Sequence, residues 1–115
     1  GGLAGVARSL PKCFDKRYFD IRVILPKYAC MKQEWKDKME YVTHFYMDLG
    51  YKNCYVGILQ MEYDGIKFYF IDNEYYFSGP KPYDSAPWDL EKFAFFSKAF
   101  RTSGNRFPSG HYSLP

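Results

Sequence analysis

The chain predicts an α/β fold, and three observations carry that expectation: a helical-period stripe near the N-terminus, a continuous β-branched run after it, and a hairpin signature mid-chain. Leu3, Val6, Ala7 and Leu10 fall at i, i+3, i+4 and i+7, which places them on one helix face. Val23, Ile24 and Leu25 are consecutive instead of alternating, which marks a strand covered on both faces, as in parallel sheets flanked by helices. Asp64 and Gly65 stand between two strand-like runs and supply the residue types of a tight turn. Together they describe half of a βαβ unit with an inserted β-hairpin.

Each element follows in order. Residues 1–18 read as a glycine turn and then a helix, with Pro11 removing an amide donor and kinking or ending its first stretch. Residues 20–28, "DIRVILPKY", form the strand, closed by Pro26. Residues 29–53 leave two readings open, an amphipathic helix over "MKQEWKDKMEY" or a charged, solvated excursion. Cys54 to Tyr63 and Ile66 to Phe70 are the hairpin strands. A further helix is expected over Asp89 to Phe100, with Leu90, Phe93, Ala94 and Ser97 as its stripe and Asp89 as N-cap or first-turn acid. From Arg101 onward Ser, Gly and Pro dominate, so residues 1–100 read as a partial domain and 101–115 as a divergent, irregular tail. The strand that should precede the opening glycines is absent, so the chain reads as a cut-out of a domain.

Composition bounds the function. At 115 residues with 47% hydrophobic and 22% aromatic side chains, the chain has material for one core and is not disordered over its length. A net charge of +3, with both signs interspersed, argues against a polyanion partner, so nucleic acid is not expected. Three cysteines without a C-x-x-C suggest neither a disulfide framework nor a zinc ribbon. No apolar run reaches the length of a membrane span and no secretory signal pattern opens the chain; no membrane partner and a cytoplasmic location are expected.

Few side chains stand out for chemistry. Gly1 and Gly2 before a helix suit the approach of backbone amides to a phosphate, and an ordinary turn explains two glycines equally well. Asp72 and Glu74 would share a face if the strand continued, but Asp72-Asn73 ending the strand through its own side-chain bonds is the simpler reading. Tyr75, Tyr76 and Phe77 read as core or cross-strand rings. Tyr83 differs, because Pro80 and Pro82 hold it on a stiff loop, where ligand-contacting residues concentrate. His44 and His111 have no ligand-spaced neighbours, so no metal site is expected.

Four stretches, "GGLAGVARSLPK", "DIRVILPKY", "YDGIKFYFIDNEYYFSGPKPYD" and "LEKFAFFSKA", resemble in order and spacing the N-terminal half of bacterial glycogen synthases and plant starch synthases. The resemblance implies a partial Rossmann-like N-terminal domain of a GT-B glycosyltransferase, whose active site lies between two such domains. It implies a retaining transfer of glucose from ADP-glucose to the non-reducing end of an α-1,4-glucan, with no cofactor beyond the donor. Gly1, Gly2 and Leu3 match the end of the family's Lys-x-Gly-Gly-Leu motif, and Tyr83 matches the tyrosine of a Pro-Tyr loop beside the donor's adenine. Gly5 stands where the family usually has Asp, and Tyr18 where it commonly has Gly. The tail after Ala99 departs from the family, as non-native sequence would. The remaining partner implied is the missing C-terminal domain, and without it and the motif lysine the isolated chain is expected to be inactive; its catalytic residues are unassigned. Two readings from other classes stand beside this one, a non-catalytic glucan-binding or structural module and an aromatic, basic module for single-stranded nucleic acid.

Overall fold

The computed structural model of the protein describes Gly5 and residues 22–108. Gly5 is helical; the rest of the helix expected over residues 1–18, including Gly1, Gly2 and Tyr18, lies outside the described residues, as does His111.

Among the described residues four strands form one mixed sheet in the order β1-β4-β3-β2. They are β1 (Arg22–Pro26), β2 (Glu40–Leu49), β3 (Lys52–Tyr63) and β4 (Ile66–Asp72). β1 runs parallel to β4, with Ile24 opposite Tyr69 and Pro26 opposite Ile71. The other two pairings are antiparallel. The β3-β4 turn is the one expected: Asp64 and Gly65 both take positive φ, 53° and 76°, the backbone twist that joins antiparallel strands in two residues. The expectation of an inserted hairpin needs correction, however. β4 belongs to the parallel pair, so the inserted antiparallel excursion between β1 and β4 is built from β2 and β3.

β2 itself takes up ten residues of the stretch 29–53 read as helix or solvated excursion, and only Gln33–Lys36 is helical there (α1). Its pattern is strand-like, with Phe45, Met47 and Leu49 turned inward and His44, Tyr46 and Asp48 outward. A register shift between Tyr41 and Thr43 breaks the alternation at its start. Gly57 of β3 lies beneath the Tyr55 side chain: a Cβ there would stand 2.9 Å from its ring and hydroxyl, and the ring would have to shift.

The sheet carries a buried cluster on each face, and the second face is covered only in part. One carries Met47, Cys54, Val56, Ile58, Tyr69 and Ile71 beneath Tyr76 and Phe77 of α2 (Glu74–Phe77) and Phe95 and Ala99 of α3 (Ala86–Ser103). The other buries Met61, Ile66, Phe68 and Phe70 against Val23, Leu25 and Trp35. β1 was expected to be covered on both faces, yet Val23 to Pro26 are half-buried, since among the described residues β1 has β4 alone as a strand neighbour.

Two expectations about the C-terminal segment also change. α3 buries Lys92, Phe95, Ala99 and Ser103, whereas Leu90 and Phe93 of the expected stripe are each 69% exposed. The helix runs on through Ser103 into a 3-10 turn at Gly104–Arg106, and Phe107 is buried, so residues 101–107 are not an irregular tail.

Candidate functional site

In open sheets, ligands collect at the carboxyl ends of parallel strands, where chain turns gather without covering helices. That end of β1 and β4 is therefore the place to look. Both strands stop there for local reasons. β1 ends at Pro26, whose nitrogen carries no donor on the side away from β4, and beyond Asp72 the Asn73 side chain accepts from the Tyr76 amide at 2.9 Å, capping α2. The strand does not continue, so Asp72 and Glu74 do not share a strand face. Two backbone bonds clip the outgoing chains together, Lys27 N to Ile71 O at 2.9 Å and Ala29 N to Phe77 O at 2.8 Å.

Among the described residues two hollows open at this end, and Phe77 lines both. The smaller, about 140 Å³, is polar: Lys27, Lys36, Asp72, Asn73 and Glu74 face it. Burial pushes the Asp72 carboxyl above its ordinary range, Lys27 opposes that, and Glu74 adds to it. The larger, about 280 Å³, is aromatic and lined by Tyr28, Phe77, Pro82, Tyr83, Phe93 and Phe96, with Asp89 and Lys92 as its ionic members. Tyr28 sits edge-on to Phe77 at 5.5 Å, and burial raises its phenol pKa, with Tyr83 the next contributor.

Tyr83 is 73% exposed, so its ring is open to a ligand, while the loop beneath it is fixed. Lys92, 8% exposed, donates from Nζ to the Pro82 carbonyl at 2.8 Å. The Asp84 amide donates to Asp89 Oδ1 at 2.9 Å, and Asp89 and Lys92 pair at 3.5 Å. An exposed flat ring on a tied loop beside an apolar hollow is suited to stacking on a planar or sugar face.

Of the residues singled out from sequence, Tyr83 reaches this end of the sheet, whereas Gly1 and Gly2 lie outside the described residues. Tyr76 and Phe77 are core, as expected, but Tyr75 is 60% exposed, with Lys52 Nζ 4.9 Å from its ring centre. Lys27, Tyr28 and Lys92 were not foreseen. The one available signal for Lys92 was its spacing, three residues after Asp89 on a helix. Among the described residues no group of His, Cys, Asp and Glu could hold a metal ion, and no helix is long and apolar enough to cross a membrane.

Comparison with known proteins gives a consistent family. Residues 1–110 match the family described as the starch synthase catalytic domain. The glycogen synthase of Lachnospira eligens is 60% identical over 99 residues, covering 86% of this chain and 21% of that protein. That of Lachnoclostridium phytofermentans is 57% identical over 101 residues, covering 88% and 21%. That of Clostridium novyi is 48% identical over 105 residues, covering 91% and 22%. The chain thus spans about a fifth of the length of the curated relatives it matches. No solved structure matches it.

Proposed function

The chain belongs to the starch synthase catalytic domain family, and from that premise we propose that it forms part of the donor-binding face of a retaining glucosyltransferase of the two-domain GT-B type. The reaction transfers glucose from ADP-glucose to the non-reducing end of an α-1,4-glucan in the bacterial cytoplasm. The bond from the glucosyl anomeric carbon to the diphosphate breaks, ADP leaves with the electron pair, and an acceptor hydroxyl bonds to that carbon on the same face while losing its proton. Such a reaction needs fixed donors toward the leaving diphosphate and a held base at the far end of the donor.

The residues present supply a share of these. The resemblance of the opening motif assigns Gly1 and Gly2 to the donor phosphates. Tyr83 stacks on the adenine, and the single observation that carries this is its exposed ring on a tied loop, at the carboxyl end of the parallel pair. The partner domain supplies the remaining donor contacts, so the isolated chain performs no transfer.

The test is a chimera in which the matched segment of this chain replaces the corresponding 99 residues of the Lachnospira eligens glycogen synthase. It should incorporate labelled glucose from ADP-glucose into glycogen, while the isolated chain stays at the level of a protein-free control. A folded but inactive chimera, or incorporation by the isolated chain, refutes the proposal.

A second reading has one observation in its favour. On the outer face of β2 and β3, Tyr41 and Tyr46 are 60% and 62% exposed and group with His44 and Tyr55, an arrangement compatible with a non-catalytic glucan contact. Titration of the chain with maltooligosaccharide tests it, and absence of binding at millimolar ligand removes it.

A further inference from the structure

Lys92 has an unusual situation for a lysine: it is 8% exposed, within a helix face otherwise made of Phe95, Ala99 and Ser103. Burying an ammonium group is costly unless it is paired and hydrogen-bonded. Its partners are specific. Nζ donates to the carbonyl of Pro82, the residue before Tyr83, and pairs with Asp89 at 3.5 Å. Asp89 in turn accepts from the amide of Asp84, the residue after Tyr83, at 2.9 Å to Oδ1 and 3.2 Å to Oδ2. One ion pair on the first turns of α3 therefore grips the backbone on both sides of Tyr83 and leaves its ring free.

We infer that Lys92 and Asp89 are positioning residues for Tyr83, fixing the ring at the angle in which it receives the flat base of a nucleotide donor. The inference rests on the proposed role of Tyr83. Pro80 and Pro82 restrict the loop but cannot orient it, because a proline sets its own φ and leaves the following ψ free. Orientation comes from the two backbone anchors. A ring held in place gives up little freedom when a base stacks on it, so removing an anchor weakens donor binding without touching the reacting bond. Such a contact is present equally before and during the reaction, so its loss raises KM and leaves kcat unchanged.

The experiment is a double-mutant cycle in the chimera described above, with KM for ADP-glucose measured at saturating glycogen and folding checked by thermal melting. Tyr83→Ala should raise KM about tenfold, the order of one lost base stack, with kcat unchanged. Lys92→Met should raise KM by about three- to tenfold and, in the Tyr83→Ala background, by less than about twofold, because it acts through the ring already removed. Should Lys92→Met fail to fold, Asp89→Ala, on the rim of the hollow, takes its place in the same cycle. Unchanged KM in Tyr83→Ala overturns the assignment of Tyr83 and the inference with it. A raised KM in Tyr83→Ala together with an unmoved KM in Lys92→Met, or with fully multiplicative effects, overturns the positioning role alone.

Discussion

Tyr76 lies nearly flat between two other rings, 5.3 Å from Trp88 and 4.6 Å from Phe95, each at 26°. Its side chain is 1% exposed and, among the described residues, its hydroxyl has no hydrogen-bond partner. The ring contributes dispersion and area burial, whereas the hydroxyl has left water without compensation. Burial also raises the phenol pKa, so the group stays neutral across the physiological range. Replacement of Tyr76 by Phe keeps the ring and removes the uncompensated group, and should leave stability unchanged or raise it by about 1 kcal/mol. Urea denaturation measures this, and a loss of more than about 1 kcal/mol would mean that the hydroxyl has a partner in solution. The same physics explains why the exposed position of Tyr83 on a stiff loop was legible in the sequence and the burial of Lys92 was not. Two prolines announce a stiff loop locally, but the burial of a lysine depends on a carbonyl ten residues earlier in the chain, which no local pattern reveals.

At the scale of elements, α3 shows how a periodic signal misleads when apolar residues surround the helix. Leu90, Phe93, Phe95, Phe96 and Phe100 point around most of the circumference, and the sheet selects the arc through Trp88, Lys92, Phe95 and Ala99. A lysine inside the buried arc made the wrong stripe look more apolar than the right one. The distinction is measurable: Phe95→Ala should cost about 3–5 kcal/mol, and Leu90→Gln should stay within about 0.5 kcal/mol. Equal costs at the two positions would restore the original stripe. β2 escaped notice for a related reason, since its register shift near Val42 and its outward His44 and Asp48 blur the period of two. The β3-β4 turn was legible because its requirement is local: two adjacent residues at positive φ, where Asp and Gly are favoured.

For the molecule as a whole, the open question is what holds β1 to the rest of the sheet. β1 and β2 are its opposite edges, and the C-terminal turn reaches both. Arg22 of β1 donates from Nη1 to the carbonyl of Phe107 at 2.7 Å, and the Arg106 guanidinium lies 4.5 Å from the ring centre of Phe45 on β2. Between them the Phe107 ring packs edge-on to Tyr69 of β4 at 5.4 Å and is 7% exposed. Residues 101–107 thus strap the sheet from edge to edge, a role invisible in the sequence because "RTSGNRF" has the composition of a loop and its one anchoring ring is isolated. If this strap closes the core, Phe107→Ala leaves a cavity against Tyr69 and should cost about 3 kcal/mol, as much as a substitution in the middle of a strand. Hydrogen exchange adds the location: β1 amides should lose protection first, because the Arg22 contact is displaced along with the ring. A Phe107→Ala variant with unchanged stability and unchanged β1 exchange would return residues 101–107 to the status of a tail.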